Sequence, residues 1–91
     1  MYSNVTNMTC ILSQLIKINA IIDAKHLEKQ LWELRVRHGR NRYRIIYFLY
    51  TGQTFILLHG FTKKTGPVPK ADMEMAESRR DDYISRRRLG I

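Results

Sequence analysis

Five arginines and a histidine fall within ten consecutive residues, Arg35, Arg37, His38, Arg40, Arg42 and Arg44 of RVRHGRNRYR, and no acid stands among them. Guanidinium is a planar fork of donors that can grip two oxygens of one phosphate. Tyr43 and Tyr47 are interleaved with this run or follow it, and His59, Lys63 and Lys64 come a little later. Unpaired RNA bases stack on aromatic rings and on guanidinium planes, so the cluster carries both ingredients of nucleic-acid recognition. Lys63, Lys64, His59 and Tyr47 are its candidate proton donors and acceptors.

The charge is concentrated rather than spread. Of the formal +8, residues 31–64 contribute seven Lys/Arg against Glu33 alone, a net +6, while residues 1–30 and 65–91 each stand at +1. Such a field raises the local concentration of polyanions, so RNA, DNA, an acidic segment or an anionic surface are the candidate partners. The single Cys10 cannot close an internal disulfide, which fits a reducing cytoplasm. The longest apolar run, Ile45 to Tyr50, is far short of the roughly 20 residues that span a bilayer. There is no phosphate-binding glycine loop, no Cys or His pair at metal-ligand spacing, and no nucleophile–base set that spacing suggests.

The elements that must position these residues follow from period. Ile11, Leu12, Leu15, Ile16, Ile18 and Ile22 recur at three- and four-residue steps and predict a helix over 7–22, with Cys10 as a small buried hydrophobe on its stripe. Residues 23–30 (DAKHLEKQ) read as a polar connection with His26 in solvent. Trp32, Leu34 and Val36 then alternate with Glu33, Arg35 and Arg37, as in a strand with one wet, charged face, and Trp32 is expected to anchor the core. Gly39 and Asn41 supply the positive torsions of a hairpin. Arg42 to Tyr50 returns as a central strand, and Thr54 to Phe61 is a third. Arginines of the first two strands then face each other and repel, which costs stability unless an anion offsets it. After a loop with Gly66, Pro67 and Pro69, a helix is expected from about residue 69 to 88. Met73, Ala76, Arg80 and Tyr83 form its inner stripe, and the terminal Arg86, Arg87 and Arg88 match its dipole. The expected architecture is α+β in a single domain over 1–91: an N-terminal helix, a three-stranded antiparallel meander and a C-terminal helix.

The segments LWELRVRHGRNRYRIIYF and FILLHGFTKKTGPVPK closely resemble the HigB-like branch of the RelE/ParE toxin superfamily, the phage-related toxins of type II toxin–antitoxin systems. The likeness spans about Lys25 to Arg88. It implies a sheet with helices packed on one side, whose open face binds messenger RNA on the ribosome and cleaves it without a metal ion or other cofactor. A cognate antitoxin would hold the toxin inactive in the cytoplasm. In such cleavage a 2′-hydroxyl attacks the adjacent phosphorus and cations stabilise the developing charge. By matching position, Arg44 is expected at the scissile phosphate, with Arg37 and Lys64 completing the catalytic set. Arg35, Arg40, Arg42, Tyr43, His59 and Lys63 are expected to hold the RNA. The chain departs from the family pattern twice. The usual first strand looks absent, which would leave a sheet edge for the antitoxin or a second copy to complete. Val68 also stands where a helix-capping Thr is usual, so Val68→Thr is expected to stabilise. Two other functions fit the same residues, a non-catalytic RNA- or ribosome-binding module and a ParE-like gyrase inhibitor.

Overall fold

The computed structural model describes residues 3–5, 17–51, 54–63 and 65–88. Strands β1 (Ser3–Val5), β2 (Ile21–His26), β3 (Leu31–His38), β4 (Asn41–Thr51) and β5 (Thr54–Thr62) form one sheet in the order β1-β5-β4-β3-β2. Every neighbouring pair is antiparallel. Helix α1 (Lys70–Arg88) packs against β5 and β4.

This corrects the expected helix, three-strand meander and helix. Among the described residues the sheet has four antiparallel strands of at least six residues together with the three-residue β1. Of the helix expected over 7–22, residues 7–16, Cys10 among them, lie outside the described residues. Lys17 is helical, but Ile21 and Ile22 belong to β2. Between them Asn19 adopts φ 60°, the left-handed conformation with which helices commonly end and which asparagine tolerates. The β-branched pair after it enters β2, and Ile18 and Ile21 are about half exposed rather than on a buried stripe. Residues 23–26, read as a connection, extend that strand against β3, with His26 opposite Trp32 and exposed. The first strand expected to be missing is present as β1, whose Ser3, Asn4 and Val5 pair with Leu57, Ile56 and Phe55. Three residues carry too short a pattern to reveal a strand; the neighbouring β5 edge supplies its partner.

The β3–β4 hairpin closes over Gly39 and Arg40, and Gly39 alone takes a positive φ, 62°. That matches a two-residue loop with glycine first, so Asn41 is the opening residue of β4 rather than part of the turn. Antiparallel register then settles the faces. Leu31, Ile46, Phe48, Ile56 and Leu58 turn toward Ala76 and Tyr83 of α1 and form the main core. Tyr83 meets Phe48 and Tyr50 edge-on at 6.1 and 5.1 Å. Leu34, Val36 and Tyr47 face the other way, with Ile22, Ile45, Phe55 and Leu57 around them. A bulge in the β4–β5 pairing, where Ile46 sits opposite His59 but Tyr47 opposite Leu57, leaves Leu58 as an extra residue and turns both Leu58 and His59 to the α1 side.

Candidate nucleic-acid interface

Register aligns the α1 side of the sheet into transverse rows. Ile21, Arg37 and Arg42 stand side by side in the row nearest the hairpin; Asp23, Arg35, Arg44 and Phe61 form the next; Lys25, Glu33, Ile46 and His59 the third. Successive rows are two residues apart along a strand, about 7 Å. The expectation that Arg35, Arg37, Arg42 and Arg44 share a face therefore matches the register, with Arg35 opposite Arg44 and Arg37 opposite Arg42. The face is the one that carries α1, at the end the helix leaves open. It is not the face opposite α1, the open face that the family resemblance implied.

These rows floor a cleft of about 440 Å³ lined by Ile21, Asp23, Arg35, Val36, Arg37, Arg42, Tyr43, Arg44, Lys63 and Thr65. Lys63 enters from the loop after β5. Gly66 in that loop has φ 89°, and a Cβ on it would stand 3.5 Å from Lys63 Cε, so the lysine stem lies close against the glycine. The Gly66 carbonyl accepts a hydrogen bond from Arg44 Nη1 at 2.8 Å, tying the loop to the cleft floor.

The four arginines are not equivalent. Arg44 is almost fully buried, and Glu33, with no exposure at all, lies beneath it. Glu33 Oε1 accepts from Arg35 Nε at 2.7 Å, and Glu33 Oε2 sits 3.4 Å from Arg44 Nη1, an ion pair without a hydrogen bond. One buried carboxylate thus faces both guanidiniums of the second row and offsets their mutual repulsion. The first row has no such acid. Arg42 Nη1 donates to the Gly39 and Asn41 carbonyls at 3.0 and 3.1 Å, which holds its orientation but leaves its charge, and Arg37 is exposed with no hydrogen bond or ion pair to a described residue. The unsatisfied positive charge sits at the mouth, on Arg37, Arg42 and Lys63.

Other sequence candidates fall elsewhere. Arg40 lines a neighbouring hollow with Asn41, Arg42, Tyr43, Thr62 and Lys63. Tyr43 pairs with Val36 on the opposite face yet reaches the cleft rim, and it is 44% exposed. Lys64 lies outside the described residues. His59 is not brought to the cleft: Nε2 meets Asp72 Oδ1 at 2.6 Å, and Nδ1 meets Arg79 Nη1 at 3.2 Å. Arginine can only donate, so Nδ1 accepts and Nε2 carries the proton given to Asp72. Arg79 also donates to the Leu58 carbonyl at 2.8 Å, and the whole set fastens α1 to β5. Tyr47 packs at 8% exposure against Phe55, and burial raises its phenol above the usual value. Trp32, expected as a core anchor, is 39% exposed and meets His26 edge-on at 4.9 Å. Sequence reasoning missed Glu33 and Asp23. The alternation had placed Glu33 on a wet face, and Asp23 was taken for part of a connection.

A small α+β protein whose sheet carries helix α1 and, beside it, a guanidinium-lined cleft is the class that fold and site define. The chain belongs to the family described as Phage derived protein Gp49-like (DUF891), whose model matches residues 17–81. This is a RelE/HigB-type toxin family of toxin–antitoxin systems. No curated protein matches the chain, and no solved structure does.

Proposed function

We propose that this protein is the toxin of a toxin–antitoxin pair and that it cleaves messenger RNA on the ribosome at the arginine cleft, a cognate antitoxin keeping it inactive. The observation that carries the reading is the first row: two opposed guanidiniums, Arg37 and Arg42, with Lys63 lining the same cleft and no carboxylate in the row. Opposed like charges destabilise a sheet pair, and a phosphate placed among them turns that repulsion into attraction.

The chemistry that suits such a site is attack by a 2′-hydroxyl on the neighbouring phosphorus. The P–O2′ bond forms, the P–O5′ bond breaks, the 2′-proton is given up and the 5′-oxygen takes one. Charge builds on the non-bridging oxygens, and preorganised donors aimed there each account for roughly 100- to 1,000-fold in rate at comparable sites. Arg37 and Lys63 reach the phosphate from the open side of the cleft. Arg44 acts from the floor, its guanidinium fixed by Glu33 and the Gly66 carbonyl, while Arg35, Arg40 and Arg42 hold flanking phosphates and Tyr43 offers a stacking surface at the rim.

Arg37→Ala tests this directly. The side chain is exposed and bonded to nothing described, so the variant keeps its fold. Primer extension on messages after brief induction, repeated with purified ribosomes, is expected to show cuts with the parent chain and a cleavage rate roughly 100-fold or more lower with Arg37→Ala. Equal rates would overturn the reading. Arg44→Ala is a poorer probe, since removing a buried, paired guanidinium also lowers stability.

A further inference from the structure

A cleft made of guanidiniums binds phosphate and stabilises charge on phosphorus, but it has nowhere to put the proton of the attacking hydroxyl. Arginine has no acceptor, and lysine as an ammonium has none. Among the described residues that line the cleft, Asp23 is the one carboxylate. It is exposed, sits directly across from Arg35 in the second row, and makes no hydrogen bond or ion pair with a described residue. Its charged neighbours are cationic except Glu33, which lies one row farther from the hairpin on β3. Arg35 faces it on β3, Arg37 lies one row toward the hairpin, Arg44 is beyond Arg35 on β4, Lys63 stands in the loop, and Lys25 is two residues on along its own strand.

Glu33 provides the contrast. It too belongs to the α1 side of the sheet, yet it is fully buried and committed to Arg35 and Arg44, so it reaches no substrate. Asp23 has the opposite properties, an open carboxylate and the only one among the described residues that line the cleft. A bare acid in a phosphate-binding cleft also repels the ligand, a cost that a purely binding cleft has no reason to carry.

We infer that Asp23 is the general base of the cleft. This rests on the ribonuclease reading above. An Asp23 carboxylate oxygen takes the 2′-hydroxyl proton as the P–O2′ bond forms; the P–O5′ bond then breaks, and the 5′-oxygen is protonated from solvent. No oxidant, reductant or further co-reactant enters. Asp23 on β2 lines the same cleft as Arg37 and Lys63, which puts the base beside the phosphate-binding cations.

The test compares the parent chain with Asp23→Asn and Asp23→Glu under single turnover on ribosomes carrying a message, across pH. Asp23→Asn is expected to cut at least 100-fold more slowly while binding RNA as tightly as the parent or more so. It is also expected to lose the fall in rate toward acid pH that the parent shows, and Asp23→Glu to recover part of both. RNA with sulfur in place of the scissile 5′-oxygen separates base from acid, because a thiolate leaves without a proton: Asp23→Asn stays slow on that substrate. Rescue by the sulfur substrate, an unchanged pH profile, or faster cutting by Asp23→Asn would each overturn the assignment while leaving the ribonuclease reading intact. A parent chain that cuts no RNA would sink both.

Discussion

Glu33 sets the working geometry of the cleft although it touches nothing outside the protein. With no exposure it pairs with Arg35 at 2.7 Å and Arg44 at 3.4 Å, and removing one member of a buried pair leaves the other charge uncompensated at a cost of about 3 to 5 kcal/mol. Glu33→Gln keeps the shape and removes the charge. It is expected to lower stability by roughly 3 kcal/mol, or about 12 °C or more in melting temperature for a domain of this size. A midpoint within about 4 °C of the parent would mean that the Gly66 carbonyl alone suffices to hold Arg44. Tyr47 offers a pH readout. Burial raises its folded pKa above the unfolded value, so its contribution is fully present below the unfolded pKa of 10.0 and is lost as pH rises through the folded value. Tyr47→Phe is therefore expected to lose less stability than the parent between about pH 9 and 11 by urea titration; parallel losses would contradict it. The sharing of one face by the arginines was legible, because period-two alternation is a statement about faces. Depth was not. Alternation puts Glu33, Arg35 and Arg37 together but says nothing of where a helix stops covering them, so a buried acid and an exposed arginine look alike, and Trp32 looks like core.

Helix α1 begins one residue later than the sequence suggested, and this changes the role of the residues before it. Pro69 supplies the carbonyl that accepts the first helical bond, from Met73 N–H at 3.0 Å, so Pro69 holds the cap position and Val68 precedes it. Val68 and Met73 both pack against the main core, the relation of a hydrophobic staple in which the residue before the cap meets the fourth helical residue. Threonine at 68 has no cap to make and brings a hydroxyl into an apolar contact. Val68→Thr is expected to destabilise by about 1 kcal/mol, where the sequence alone argued for stabilisation. A higher melting temperature would return the cap to residue 68. The three central strands and this helix could be read because each spans several periods of its pattern. The N-terminal side could not. The isoleucines at 18, 21 and 22 satisfy a helical step by coincidence, and the interruption lies in Asn19, whose backbone torsion no hydrophobic pattern records. Strand β1 depends on the edge of β5, a contact distant in sequence.

For the molecule as a whole, the question is whether RNA responds to total charge or to its placement. The sum is +8, but much of the arginine outside the sheet is engaged within α1: Arg86 pairs with Asp82 at 3.1 Å, and Arg87 lies over the Tyr83 ring, 5.2 Å from its centre. The cleft mouth holds the cations that lack acids. Each phosphate neutralised on a single strand contributes about −0.7 to the slope of log K against log salt, so engagement by Arg37, Arg40, Arg42 and Lys63 predicts a slope of about −3. Arg37→Ala and Arg86→Ala remove the same unit of charge from exposed positions, one in the cleft and one near the far end of α1. Fluorescence titration of a short single-stranded RNA over a range of salt is expected to show the slope shrinking by about 0.7 for Arg37→Ala and staying unchanged for Arg86→Ala. Equal shrinkage in both would show that the long-range field of the whole protein, rather than the row of opposed guanidiniums, attracts the strand. Because that row is set by register, Arg37 opposite Arg42, such a result would also separate the sheet's pairing from its function.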